Sequence, residues 1–332
     1  MTTTDLPAGT FSVTADYSGD AVFLASSGSV SQTVDKRAST TTVTSSLNPS
    51  IYGDAVTFTM TVQPTDVGPT PSGTVQLVVD GVNSGTPVSL DKAGSATATL
   101  STLDATAAGT SHTITAVYSG DATYLTSTGD LPGGQLVAKA ASTTVVSVAP
   151  SPSRFGQSVN LTATVSPGGA AVLGGTVQFF VDGVAVGDPQ PVTAGVATLT
   201  WSTWTVAGHA VTAGFSGNAN YLASGSAPVS HRVNRAATRT VVTSSPNPAR
   251  AWSSVTFTIK VTAVAPGAGV VSGRVQFQVD GRNFGPVLTV TNGQAVRITS
   301  LIGAGTHRVR AIYLTSTNFS SSESTTLRQV MN

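Results

Sequence analysis

Val56, Phe58, Met60 and Val62 alternate strictly with Thr57, Thr59 and Thr61, so this stretch has one apolar edge and one hydroxyl edge. Period two marks a strand with one buried face. The stripe returns as Val159, Leu161, Ala163, Val165 and as Val255, Phe257, Ile259, Val261. A second stripe, Val75, Leu77, Val79, returns as Val177, Phe179, Val181 and as Val275, Phe277, Val279, and each copy runs into Asp-Gly. That pair predicts a tight hairpin into a short partner strand, because glycine readily takes the positive φ that a primed turn needs. A third stripe, His112, Ile114, Ala116, Tyr118, is matched by His209, Val211, Ala213, Phe215 and by His307, Val309, Ala311, Tyr313. With strands expected near 40–45, 96–100 and 135–138, each copy holds about seven.

These stripes belong to a long repeat. GTVQLVVDG at 73–81 recurs as GTVQFFVDG at 175–183 and GRVQFQVDG at 273–281, spaced by 102 and 98 residues. A period near one hundred is that of a compact domain, too long for a solenoid unit. YSGDATYL at 118–125 recurs as FSGNANYL at 215–222, as the divergent YLTSTNFS at 313–320, and as YSGDAVFL at 17–24. The expected division is therefore a C-terminal fragment of a module at 1–34, then modules at 35–137, 138–233 and 234–332. The joints Asp35-Lys36-Arg37, Ala138-Lys139-Ala140 and Asn234-Arg235-Ala236 contain no Gly/Ser or Pro run, which favours a stiff connection. Strands of this length rise roughly 25 Å, so three modules predict an elongated rod of about 100 Å or more.

Gly109, His112, Ile114, Ala116, Tyr118, Ser119, Gly120, Asp121 and Tyr124 resemble the G-x-H-x-I-x-A-x-Y-S-G-D-x-x-Y ending of bacterial immunoglobulin-like repeats, with one extra residue after Gly109. The resemblance covers essentially the whole chain. It implies an all-β fold of tandem immunoglobulin-like sandwiches, used as spacer or adhesin at a cell surface, without catalytic residues. The cysteine pair and the second-stripe Trp of antibody domains are missing. Apolar burial must hold each sandwich. Leu314, Thr315 and Ser316 replace Ser-Gly-Asp in the third copy and put its turn in question.

Only 9% of residues are charged, and Thr, Ser, Gly, Val and Ala dominate. Without cysteine there is no disulfide, zinc-thiolate cluster or thiol nucleophile. No apolar run reaches the length of a membrane span. The opening MTTTDLPAGT has neither the basic nor the apolar region of a signal peptide, so an excerpt of a longer exported protein and a component delivered by assembly are both open readings.

His112, His209 and His307 share one repeat position, and the fragment carries Phe11 there. A site that accepts Phe or His on an inward stripe reads as packing, with no acid recurring beside it. His231 stands apart. Asp80, Asp182 and Asp280 in the hairpins, and Asp20 and Asp121 in the SGD turns, read as turn formers. No D-x-D-x-D cluster or G-x-S-x-G motif accompanies them, so no cofactor or metal is expected. Of the three tryptophans, Trp201 continues an inward stripe, Trp204 is expected at the surface, and Trp252 lies in the third copy.

Charge divides unevenly, with net −3 over 1–34, −5 over 35–137, +1 over 138–233 and +8 over 234–332. Arg274, Arg308 and Arg310 fall on outward positions of the second and third stripes and Arg328 near the last strand, and these strands share one sheet in this fold. They form a candidate interaction face, read against surface drift. Its candidate partners are an acidic neighbour, such as the N-terminal end of another copy met head to tail, or a polyanionic glycan. Nucleic acid ranks last, because no aromatic residues interleave with the arginines. The functional expectation is a non-enzymatic extracellular or cell-surface rod, working as stalk, adhesin segment or assembly subunit. A bacteriophage virion fibre or decoration protein, and a carbohydrate-binding appendage of a secreted enzyme, are the alternatives.

Overall fold

The computed structural model describes residues 6–167 and 174–332, so residues 1–5 of the expected N-terminal fragment lie outside the described residues. The chain divides into two compact units, residues 1–140 with 219–222, and residues 141–218 with 223–332. Every regular element among the described residues is a β-strand.

The first unit opens on a hairpin in which Gly9–Tyr17 pairs antiparallel with Ser26–Val34 along its whole length. A sandwich follows. Its three-stranded sheet places Val56–Pro64 between Ser39–Ser45 and Ser95–Leu100. The facing sheet runs in the order Ser127–Asp130, Ile114–Tyr118, Thr74–Val79, Val82–Ser89.

The second unit repeats the plan twice. Val159–Ser166 lies between Thr143–Ala149 and Val196–Trp201, and Val255–Ala263 lies between Thr238–Ser245 and Gln294–Thr299. In the facing sheets, Gly208–Phe215 is flanked by Val229–Asn234 and Thr176–Val181, and Gly305–Tyr313 by Leu327–Met331 and Gly273–Val279.

The hairpin partner is longer than the short strand expected from sequence. Val82–Ser89 and Val184–Pro191 each run eight residues, carried past register shifts at Val75/Leu77 and Val177/Phe179. In the third copy the same edge breaks into Arg282–Asn283 and Leu288–Val290. Pro286 lies in that break and has no N–H to offer a ladder.

The alternating stripes become the cores. Val56, Phe58, Met60 and Val62 are fully buried against Val75, Leu77, Ile114, Ala116 and Tyr118. In the third copy Phe257 meets Phe277 at a ring separation of 4.9 Å. Each such side chain contributes roughly 1.5–3 kcal/mol through removal from water. Hydroxyls close the open side of each sandwich. Ser127 Oγ bonds the hydroxyls of Ser39 and Thr41 at 2.8 and 2.7 Å. Ser224 does so with Ser142 and Thr144 at 2.8 and 2.7 Å, and Ser322 with Thr238 and Thr240, both at 2.7 Å.

The N-terminal hairpin has no such cover among the described residues. Val13, Tyr17 and Val30 remain 46%, 43% and 64% exposed.

Phe257→Ala empties the centre of the third core and should destabilise it by about 3–5 kcal/mol. Hydrogen exchange should accelerate across 255–313 and stay unchanged across 56–118.

Candidate functional site

The Asp-Gly hairpins and the third-stripe histidines, far apart in sequence, meet at one end of each sandwich. Asp80, Asp182 and Asp280 adopt φ of 50°, 51° and 52°, and the glycines after them 79°, 80° and 75°. Two successive left-handed residues make the tight primed turn that the Asp-Gly pair predicts. Each aspartate then faces the neighbouring strand. One carboxylate oxygen meets His Nδ1, at 2.6 Å for Asp80–His112, 2.7 Å for Asp182–His209 and 2.8 Å for Asp280–His307. The other accepts the backbone N–H of Thr113, Ala210 or Arg308 at 2.8–2.9 Å.

An acid therefore recurs beside each histidine, contrary to the sequence reading. These histidines are clasps as well as packing groups. Co-recurrence of the Asp-Gly pair with His in all three full copies was the available signal. Phe11 misled because residues 1–34 contain no Asp-Gly pair for a clasp.

The opposite ring nitrogen also faces an acceptor. Nε2 of His112, His209 and His307 lies 2.8, 3.0 and 3.1 Å from the carbonyls of Asp104, Thr205 and Gly303. With acceptors on both sides at His112 and His209, the doubly protonated imidazolium satisfies both contacts. Burial opposes that charge at His112, yet the Asp104 carbonyl and the Asp80 carboxylate outweigh it and raise the pKa. His209 is raised in the same way by Thr205 and Asp182. Asp80 is lowered first by His112, while Asp182 and Asp280 are lowered first by the Ala210 and Arg308 backbone N–H groups.

Directly across the ladder from each clasp stands a buried polar residue. Gln135 opposes His112, His231 opposes His209 and Gln329 opposes His307. Gln135 donates to the Leu47 and Leu136 carbonyls and accepts from Ser45 Oγ. His231, 1% exposed, stands in that position in the second copy, with Nε2 2.9 Å from Ser153 Oγ and Nδ1 3.2 Å from Ser151 Oγ.

Trp204 corrects another expectation. It is 3% exposed, its ring 4.7 Å from His231 and 5.4 Å from His209, and its Nε1–H donates to the Trp201 carbonyl. It fills the position of Leu103 and Ile302, where burial of a large apolar group overrides its polar edge. Trp252 is the exposed tryptophan, at 66%.

A depression of about 680 Å³ opens here, lined in part by Asp182, His209, His231 and Ser151. The residue types of a nucleophilic triad are present but partnered crosswise. Asp182 binds His209, while Ser153 binds His231, so no carboxylate orients the histidine beside the serine. Among the described residues no group of three His, Cys, Asp or Glu could hold a metal ion.

The SGD turn makes a second recurring device. Asp121 Oδ1 accepts the N–H groups of Thr123 and Tyr124, and Oδ2 accepts the Ser72 N–H and hydroxyl. Burial works against its charge, but these bonds bring its pKa down to about 2. The turn grips the incoming linker. Arg37 N–H donates to the Thr123 carbonyl and Leu125 N–H to that of Arg37. Ala140 makes the same pair of bonds with Asn220 and Leu222, as does Ala236 with Asn318 and Ser320.

The third-copy turn, in question from its sequence, is intact. Ser316 N–H bonds the Phe319 carbonyl, and Ser316 Oγ accepts the Phe319 N–H at 3.2 Å, in place of the aspartate. Aromatic pairs accompany the grips. Tyr52 lies edge-on to Tyr221 at 5.3 Å within the first unit, and Phe155 to Phe319 at 5.5 Å within the second.

The family model described as bacterial Ig-like domain, group 3, matches residues 42–131, 146–234 and 242–332. The chain belongs to this family. It is an all-β tandem of immunoglobulin-like domains, and among the described residues no helix is long and apolar enough to cross a membrane. No curated protein matches the sequence. Among solved structures, the Escherichia coli adhesin FdeC is similar at 16% identity, over 89% of this chain and 96% of that one, with a TM-score of 0.30. A Ca2+-stabilized ice-binding adhesin of an Antarctic bacterium is similar at 18% identity, over 97% and 81%, with a TM-score of 0.28. Domains A168-A170 of titin are similar at 12% identity, over 87% and 98%, with a TM-score of 0.33. At these scores the likeness carries no functional argument.

The four arginines of this bacterial Ig-like tandem do not all meet. Arg308 stands directly opposite Arg328, and Arg310 opposite Gln278. Arg274 lies four residues along from Gln278, about 14 Å up the strand. Arg310 also pairs with Glu323.

The Asp–His clasps should contribute most to stability between about pH 4 and 6.5. The raised His112 and His209 contribute fully below their ordinary 6.5, and that contribution fades as pH rises through their folded values. The lowered aspartates contribute fully above their ordinary 3.8, and that fades as pH falls through their folded values. Thermal melts across pH, with histidine NMR titration, test this; a melting temperature that climbs from pH 6 to 8 contradicts it.

His231 has the opposite sign. Burial, then the charge of His209, lower its pKa, so its contribution is complete above 6.5 and is lost as pH falls. His231→Gln, which restores the residue of the other copies, should make the second copy less sensitive to acid below pH 6, read by hydrogen exchange across 208–234.

Proposed function

We propose that the chain is a non-enzymatic rod segment displayed outside the cell, a stalk or adhesive repeat whose modules at 35–137, 138–233 and 234–332 fold as separate sandwiches. The backbone grip at Arg37, Ala140 and Ala236 carries this reading, because each entering linker is bonded to a turn instead of being left as a free tether. Such joints suit a chain whose purpose is to hold a surface at a distance. The clasps support it further, since each imidazole is engaged at both nitrogens by acceptors within its own copy.

A joint variant and a clasp variant together test the reading. Ala236→Pro removes the N–H that binds Asn318 and should broaden the distance distribution from small-angle scattering, while the wild type extends to about 100 Å or more. The triple change of His112, His209 and His307 to Phe should cost roughly 1 kcal/mol per copy and leave adhesion of cells displaying the chain intact. A compact scattering profile for the wild type, or loss of a chemical conversion in the folded histidine variant, contradicts the reading.

The uncovered hairpin favours a second reading, an assembly subunit joined head to tail. Val13, Tyr17 and Val30 are exposed on it, and residues 1–34 carry −3 against +8 over 234–332. Sedimentation should then show self-association that weakens with salt and disappears without residues 1–34. Equal association of the truncated chain rules it out.

A further inference from the structure

We propose that the outward sheet face of the third copy, around Arg308, Arg310 and Arg328, binds an acidic polysaccharide through its sulfate or carboxylate groups. The proposal rests on the display reading above and names the surface that such a segment would engage.

The chain supplies its own comparison. Where the third copy has Arg274, Arg308, Arg310 and Arg328, the first has Thr74, Thr113, Thr115 and Gly134, and the second has Thr176, Ala210, Thr212 and Ser230. The scaffold therefore needs no positive charge at any of them. Arg308 and Arg328 face each other across the ladder, an arrangement that opposes folding unless something neutralises it. Among the described residues neither forms an ion pair. The nearby Asp280 carboxylate is already engaged by His307 and by the Arg308 backbone N–H.

A shallow depression of about 430 Å³ lies here, lined by Asp280, Gly281, Arg308, Arg310 and Thr326. Arg310 Nε is buried without a hydrogen-bond partner, although another nitrogen of the same guanidinium binds Glu323. Guanidinium groups meet sulfate and carboxylate with paired hydrogen bonds. Their neighbours on this face are polar: Gln276 and Gln278 donate their amide N–H groups to the Phe277 and Gly285 carbonyls and to Asn283 Oδ1, which leaves the amide oxygens and the Thr289 hydroxyl to meet sugar hydroxyls. The outward positions among these arginines hold no aromatic ring to anchor a protein interface or to stack a nucleic-acid base.

The full chain should be retained on immobilised heparin, used as a sulfated probe, and released by salt, while neutral dextran does not bind it. Arg308→Gln with Arg328→Gln should weaken binding about tenfold or more. Arg239→Gln with Lys260→Gln removes equal charge from the outward face of the other sheet and should stay within about twofold. Glu323→Gln frees Arg310 and should tighten binding. Equal losses for the two double variants would reduce the effect to net charge and overturn the proposal. Failure of the wild type to bind heparin overturns it as well, and tighter binding of single-stranded DNA than of heparin assigns the face to nucleic acid instead. None of these outcomes bears on the scattering and adhesion tests of the display reading.

Discussion

Each sandwich depends on burying one apolar face of a three-stranded sheet against another sheet, with no covalent cross-link to help. The first stripe meets the second and third across that gap, and residues such as Phe58, Leu161 and Phe257 lose all contact with water. Without cysteine, nothing constrains the unfolded chain in place of this burial. The ends and edges of the sheets then become the weak points, because backbone and polar groups there must find partners without interrupting the core.

The recurring polar devices lie at those points. Ser127, Ser224 and Ser322 close the seam between sheets through paired hydroxyls. The Asp–His clasp ties the hairpin to the neighbouring strand, Gln135 bonds the Leu47 carbonyl, and His231 bonds Ser151 and Ser153. Their repetition in three copies of diverged sequence separates architectural from individual features. His231 with Trp204, and the arginines of the third copy, fall in the second group. Differences of that kind on a shared scaffold are where the copies can acquire separate roles.

The fold was legible in the sequence because its signals are local and triplicated. Alternation at 56–62 and the Asp-Gly pairs at 80–81, 182–183 and 280–281 specify strands and turns from neighbouring residues alone. The polar site was less legible. Trp204 looked like a surface residue because its inward position depends on a loop shared with Leu103 and Ile302, and loops carry no period. The clasp was missed because its partners stand 27 or 32 residues apart and meet only through strand pairing. The third-copy turn looked doubtful because serine replaces aspartate, yet one hydroxyl suffices to accept the Phe319 N–H.

By itself the sequence determined the repeat, the strand pattern, the residues that form the cores and the uneven charge along the chain, since each depends on composition or short-range order. Tertiary structure alone decided which polar side chains share a proton, which of four arginines stand together, and how each linker is bonded to its turn. Arg308 and Arg328 are neighbours because a ladder aligns strands that begin more than twenty residues apart, while Arg274, on the adjoining strand of the same sheet, ends up about 14 Å from Gln278, the residue that faces Arg310. Between strands not joined by a tight turn, register is set by which apolar faces pack together, and that needs the whole sandwich.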